Sequence, residues 1–302
     1  VDVAAARRFA STSLLGAGLT GGSVTVRFGK GHYGALVAFL LLSSPALAQT
    51  SDRLSASVSG SSLTGTNGGG TGSVGWLHGF DPGTIITTGF EHDTLGPARW
   101  DFLSAGGAWS FGPDNTRFGI AAEAHEGGGT DAGARTAAGA RTFNYEIEAI
   151  DLSATFQHRL SATLEERRID VETNHGNLPK AQIAYVWGPH LLTTASYASS
   201  TNGNLGTHLS GARIDLYEAP VNVLAGTAFG QGAPVIFGYI NGQSVSRALV
   251  PSKELHEYYL GAEKPVTRWH SDFTLVADWL NLGGTKKATL TLNYSYSFGG
   301  GL

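Results

Sequence analysis

The amino-acid sequence predicts an all-β fold: a single antiparallel transmembrane β-barrel of about 12 strands, with 10 to 14 as the range. Three observations carry this. A short apolar run near the start ends in a small-residue cleavage site. Two-residue alternation recurs along the rest of the chain. Clusters of glycine, proline, asparagine and aspartate punctuate it.

The apolar run comes first. Ala35-Leu36-Val37-Ala38-Phe39-Leu40-Leu41-Leu42 follows Arg27 and Lys30, and Ser43-Ser44-Pro45 breaks it before Ala46-Leu47-Ala48. A basic region, an apolar core and an A-x-A site make a secretory signal, and the run is too short for a membrane helix. Cleavage is expected after Ala48, which divides the chain into residues 1–48, an N-terminal extension with signal, and residues 49–302, the barrel. A start at Val24 or Val26 would give the basic region an ordinary length. No other long apolar segment occurs, so no inner-membrane helix is expected.

Composition narrows the function classes. The 302 residues are 41% hydrophobic and 15% charged, enough to close one barrel. Cysteine is absent, which excludes disulfides, thiolate catalysis and cysteine zinc sites. Past Ala48 the chain holds 16 basic and 23 acidic residues, a net charge of −7. Nucleic-acid binding wants a basic face and is not expected.

Each strand then has its own evidence. In Ala288-Thr289-Leu290-Thr291-Leu292-Asn293-Tyr294-Ser295-Tyr296-Ser297-Phe298 every even residue is apolar or aromatic and every odd one small and polar. Strand side chains alternate between faces, so this segment has one greasy face and one wet face. Phe273, Leu275, Ala277 and Trp279 form the preceding stripe, with Val276 and Leu280 out of place on its wetter side. Asn281-Leu282-Gly283-Gly284 reads as the hairpin between them. Further stripes are Val74 to Phe80, Phe118 to Ala124, Ala181 to Trp187 and Val221 to Phe229, each at two-residue spacing. Phe143, Tyr145, Ile147 and Ala149 change phase to Ile150, Leu152, Ala154 and Phe156, which predicts a bulge or a turn near Ala149.

Turn clusters separate the stripes at 65–70, 81–83, 112–115 and 201–204, while 127–141 and 230–250 read as two long loops. At roughly 20 residues per strand with its connection, the 254 residues after Ala48 give about 12 strands. A soluble β-sandwich or lipocalin-like barrel also alternates. The length of the stripes, Trp and Tyr at their ends and a polar opposite face favour a bacterial outer membrane. Tyr294, Tyr296 and Phe298 match the aromatic final strand that the barrel-assembly machinery reads, although Gly299-Gly300-Gly301-Leu302 follow it.

The second half also resembles the YaiO-like family of outer-membrane β-barrels. The layout that carries it is Leu164-Glu165-Glu166-Arg167-Arg168-Ile169-Asp170-Val171-Glu172, Val186-Trp187-Gly188-Pro189, Ala195-Ser196-Tyr197 and Gly211-Ala212-Arg213, within residues 150–298. The resemblance implies an outer-membrane address and association with exopolysaccharide systems. It brings no catalytic motif.

Chemistry-bearing motifs are sparse. Gly70-Thr71-Gly72-Ser73-Val74-Gly75 has glycine-rich dinucleotide spacing but leads into a strand, where such a site needs a helix. Glu91-His92-Asp93 and Glu123-Ala124-His125-Glu126 are the densest metal-type clusters, both read as exposed residues beside turns. A lipid hydrolase or acyltransferase would need an activated serine. Its candidates are Ser153 or Ser161 with His158, and Ser271 with His270 and Asp272, without a G-x-S-x-G elbow. No cofactor or metal is expected.

The charged run is the candidate functional feature. In a strand, Glu166, Arg168, Asp170 and Glu172 share one face. Lipid-facing Arg or Lys costs about 2–4 kcal/mol at mid-membrane, so these charges belong in the lumen or beyond the bilayer. Arg213 and Asp215 are candidates for the same lumen network. The expected function is a pore or export conduit for small solutes or polysaccharide. The alternatives are a non-conducting structural or interaction barrel with working loops, and a lipid-modifying enzyme. The expected partners are outer-membrane lipid and the assembly machinery.

Overall fold

The computed structural model describes residues 51–299, apart from 65, 82, 97, 114, 137–138, 172–173, 219 and 233–252. The expected export signal, Glu172 and most of the 230–250 loop lie outside the described residues.

Fourteen strands follow in chain order. The first four are β1 (Ser51–Leu63), β2 (Thr66–Asp81), β3 (Thr84–Leu95) and β4 (Ala98–Phe111). Next come β5 (Thr116–Thr136), β6 (Gly139–Phe156), β7 (Leu160–Val171), β8 (Asn174–Val186) and β9 (Leu191–Ser199). The last five are β10 (His208–Glu218), β11 (Val221–Gly232), β12 (Lys253–Val266), β13 (Ser271–Leu282) and β14 (Thr285–Gly299). Every strand pairs antiparallel with its neighbours in sequence, and β1 closes the sheet on β14, from Ser51 opposite Gly299 to Leu63 opposite Lys287. Closure leaves no free edge, the condition for a sheet inside a bilayer.

The expected 12 strands are 14 because each strand with its connection takes about 18 residues, not 20. The turns are tight. Gly283 and Gly284 both take positive φ, 53° and 92°, as a two-residue hairpin of mirror-image type requires. Of the stretch 127–141, expected as a loop, residues 127–136 and 139–141 instead form the ends of β5 and β6. Gly127 makes that pairing possible, since a Cβ there would overlap the Asp101 carbonyl and Phe102.

The outer face is apolar. Leu54 and Val58 on β1, Leu152 on β6, Ile183 on β8, Tyr258 and Leu260 on β12, and Leu290 and Leu292 on β14 are all exposed. Aromatic side chains ring it, with Trp109, Phe111, Phe118, Phe156 and Trp187 near the end where the described chain begins and finishes, and Trp279 and Tyr258 toward the other. An exposed apolar belt with aromatic borders is the surface a bilayer requires. The ends are called here the terminal end, which holds Ser51 and Gly299, and the far end. The β11–β12 connection, at 233–252, is the longest and joins strands at the far end.

No bulge occurs near Ala149. The β6 register runs without a shift from Thr116 opposite Phe156 to Asp131 opposite Arg141 on one side, and along all of β7 on the other. The phase change is a change of face. Tyr145, Ile147 and Ala149 are buried inside the barrel, while Leu152 and Phe156 are exposed outside it. Val276 and Leu280 have the same explanation, being buried on the inner face of β13.

Candidate functional site: the barrel lumen

The lumen is built in layers, and the sequence of each strand decides which layer it serves. From the terminal end inward, β1 offers Arg53, Ser55, Ser57 and Ser59, all partly exposed, because its alternation pairs serine with outward Leu54, Ala56 and Val58. Arg53 donates to Asp272 at 3.0 Å and to Ser295 at 2.5 Å. Arg53 and Asp272 keep 19% and 27% of their side-chain surface, so the terminal mouth admits water. Glu263 accepts from Asn222 at 3.2 Å at the same level, and Arg117 faces inward from the start of β5.

The middle layer is charged on two walls. On β5 to β8, Arg167 bridges Glu165 at 2.9 Å and Glu123 at 3.1 Å, and Lys180 lies 3.6 Å from Glu165. Asp151 stands opposite Glu165 across the β6–β7 pair, and His125 lies 3.6 Å from Glu123. On β10 to β14, the Arg213 guanidinium donates to both Asp215 oxygens at 2.6 to 2.9 Å. Glu257 is fully buried and lies against Asp278, with Lys287 nearby. The ring of Tyr259 covers Gly226, where a Cβ would overlap it. On β3, Glu91 and Asp93 are buried on the inner face where the middle layer meets the far half, opposite Phe102 and Trp100 of β4, and Asp93 is hydrogen-bonded to the Thr71 hydroxyl.

The far half of the lumen is closed by apolar packing. Trp100 and Phe102 of β4, Tyr145 and Ile147 of β6, Ile169 of β7 and Leu178 of β8 form one side of a single cluster. Ala198, Leu209, Ala228, Leu255 and Leu280 complete it from β9 to β13. Phe102 and Tyr145 stack with centroids 5.1 Å apart. The remaining member is Leu205, carried by the β9–β10 loop and exposed 0%.

That loop is fastened to β8. Asn204 N donates to the His175 carbonyl at 2.9 Å, and the Asn204 side chain accepts from His175 N at 2.8 Å. The Asn202 side chain accepts from Asn177 N at 2.6 Å. Gly203 takes φ +72° and comes so close to the His175 carbonyl that a Cβ would overlap it.

The candidate lumen charges divide. Arg213 and Asp215 lie on the lumen face. Glu166, Arg168 and Asp170 do not. They continue the face of exposed Leu160 and Leu164, so they are on the outside of the barrel. Arg168 is 50% exposed and sits 3.7 Å from Glu148, and Glu166 accepts from Asn177 at 2.6 Å. The stripe remains apolar up to Leu164 and turns charged beyond it, where β7 rises past the apolar belt. The lumen residues of this strand are Glu165 and Arg167, one position away in each case. A period of two makes such an error possible whenever the apolar anchor of a strand is misjudged.

Other motifs resolve simply. Gly70 to Gly75 lie within β2. The two metal-type clusters sit within strands and not beside turns, so their members part to opposite faces. His92 is outside with Asp101 at 2.7 Å, while Glu91 and Asp93 are inside. Among the described residues no group of three His, Asp or Glu side chains is placed to hold a metal ion. Ser271 Oγ donates to the Trp269 carbonyl at 2.8 Å and meets the Tyr294 hydroxyl at 3.1 Å. Ser161 pairs with Thr155 at 2.9 Å, and His158 is exposed in the β6–β7 turn with φ 55°.

No family model matches the chain, and no curated protein does. Among solved structures it is similar to the outer membrane protein Omp33 of Acinetobacter baumannii, at 12% identity and a TM-score of 0.49, over 83% of this chain and 98% of that one. It is also similar to the CymD monoaromatic hydrocarbon channel, at 10% identity and a TM-score of 0.48, over 91% and 94%. A third is the KdgM porin, at 9% and 0.41, over 81% and 99%.

Proposed function

We propose that the chain is an outer-membrane pore for small polar solutes and ions, held closed at its far mouth by the apolar cluster. The observation that carries this is the layering of the lumen. Partly exposed serines of β1 and the Arg53–Asp272 pair line it from the terminal mouth, buried charged side chains follow at mid-barrel, and buried leucines and aromatics end it. A structural barrel has no need of a wet half. Fourteen strands stand between small barrels filled by their side chains and 16- to 18-stranded porins with an open channel.

The layering also bears on substrate. A polyanionic polysaccharide would meet the carboxylates of β3, β5, β6 and β7 in the lumen, which argues for small solutes over the exopolysaccharide suggested by the family resemblance. A second reading, a sealed interaction barrel, is favoured by one fact: Leu178, Leu205 and Leu255 are each exposed 0%.

Single-channel recording of the purified protein in a planar bilayer separates the two. Discrete openings with reproducible unit conductance are expected. A heat-modifiable, membrane-inserted barrel that never conducts, at any voltage and with Leu205 truncated, would leave the sealed barrel.

A further inference from the structure

We infer that the outer wall of β7 and β8 carries a polar notch in the lipid-facing belt, fitted to the headgroups of the leaflet at the far end, which descend there to about half the height the belt has elsewhere. The notch lies outside the barrel and is independent of whether the lumen conducts. The lower edge of the belt follows the turns of the terminal end. Leu160 begins β7, Tyr185 is next to last in β8, Val221 begins β11 and Phe298 is next to last in β14. Each residue above that edge adds about 3.3 Å along strands tilted by about 40°. On β14 the outward apolar residues run from Phe298 to Leu290, eight residues or about 20 Å, and the span from Val221 to Phe229 on β11 is as long. On β7 the apolar stripe stops at Leu164 and on β8 at Ala181, four residues up or about 10 Å.

Polar groups take the levels above. Glu166 stands six residues beyond Leu160, the level at which Leu292 of β14 meets acyl chains. It accepts from the Asn177 amide at 2.6 Å, and outward Arg168 lies 3.7 Å from outward Glu148. Charged side chains in a span face water or polar groups, not hydrocarbon. Pro179, opposite Glu166, brings no N–H to the sheet at the same level. An incomplete ladder is tolerated where water reaches it and not among acyl chains. Side-chain charge and a missing backbone donor are separate observations, and both place headgroups and water here. The notch is local, because Tyr197 of β9 is exposed six residues beyond Leu191. Lipid is the fitting occupant, since a bilayer thins around a short belt at modest cost. Both polar pairs are completed within the barrel, whereas a protein interface matches its charges across two chains.

The test compares two outward alanines about equally far from the terminal edge, Ala181 on β8 and Ala225 on β11. The chain has no cysteine, so Ala181→Cys and Ala225→Cys each take one fluorophore in the purified protein refolded into phosphatidylcholine vesicles. With quenchers at the acyl-chain ends, the label at 225 is expected to be quenched several-fold more than the label at 181. With quenchers on the headgroups the order should reverse. Equal depths overturn the notch. A label at 181 that neither quencher reaches overturns lipid as the occupant in favour of a second copy of the chain. Glu166→Leu/Asn177→Leu removes one bonded pair and extends the apolar face upward. Its folded fraction in long-chain dierucoyl vesicles relative to short-chain dilauroyl vesicles should rise several-fold over that of the unaltered protein. An unchanged ratio overturns the inference, and the quenching comparison decides it alone if the double variant fails to fold.

Discussion

Among the described residues, Leu205 is the one member of the apolar cluster that does not sit on a strand, so the geometry makes it the movable part of the closure. Its side chain is exposed 0%, and full burial of a leucine contributes about 1.5–3 kcal/mol over leaving it in water. Leu205→Ala keeps the loop and its backbone bonds but removes most of that term, about 2 kcal/mol. At 1.4 kcal/mol per factor of ten, the displaced state of the loop gains roughly 30-fold in population. Single-channel recording at fixed voltage reads this as a larger open fraction at similar unit conductance. Asn204→Ala, which removes the bond from His175 N, should act in the same direction by about 1 kcal/mol, or about fivefold. An unchanged open fraction in a correctly folded Leu205→Ala protein would refute the reasoning, since the closure would then rest on strand-borne side chains alone.

Three further outcomes follow from the same geometry. Leu292 is 45% exposed on the outer face at the middle of β14, so Leu292→Arg should lower stability in vesicles by about 2–4 kcal/mol, measured by urea unfolding. Gly284 holds φ 92° in the last hairpin, and Gly284→Val should cost at least about 1 kcal/mol and slow closure of β14 on β13, read by the rate at which the heat-modifiable form appears. Arg213→Ala leaves Asp215 buried without its bidentate partner at a cost of about 1–3 kcal/mol, reduced for the partial exposure of Arg213, and Arg213→Ala/Asp215→Ala should recover part of it.

The outer surface was legible in the sequence. The stripes at Leu290 to Phe298, Phe273 to Trp279 and Ala181 to Trp187 face outward because a bilayer enforces period-two apolar patterning on that face alone. The interior was not legible, because inward-facing positions are free to be polar or apolar. Tyr145, Ile147 and Ala149 look like a lipid-facing stripe and are part of the closing cluster or beside it. Reading an apolar residue as lipid-facing turned a change of face into an apparent bulge. The hairpin at 127–141 was lost for a different reason. Gly127, Gly128 and Gly129 carry no side-chain pattern, and the close approach of Gly127 to Phe102 is visible only once β4 is paired with β5.

Adjacent arginines make this parity measurable. Arg167 faces the lumen and bonds both Glu165 and Glu123, whereas Arg168 faces outward, half exposed and 3.7 Å from Glu148. Arg167→Gln removes the base that bridges Glu165 and Glu123. Stability should fall by about 1–3 kcal/mol. Arg168→Gln removes a surface pair worth about 0–1 kcal/mol, beyond the apolar belt and across the wall from the permeating ion. Stability should fall by no more than that. The two substitutions are chemically identical and one residue apart, so side-chain type, local sequence and strand propensity cancel between them. A larger loss of stability in Arg168→Gln than in Arg167→Gln would invert the assignment of faces along β7, and with it the place of the Glu165–Arg167–Glu123 bridge inside the lumen.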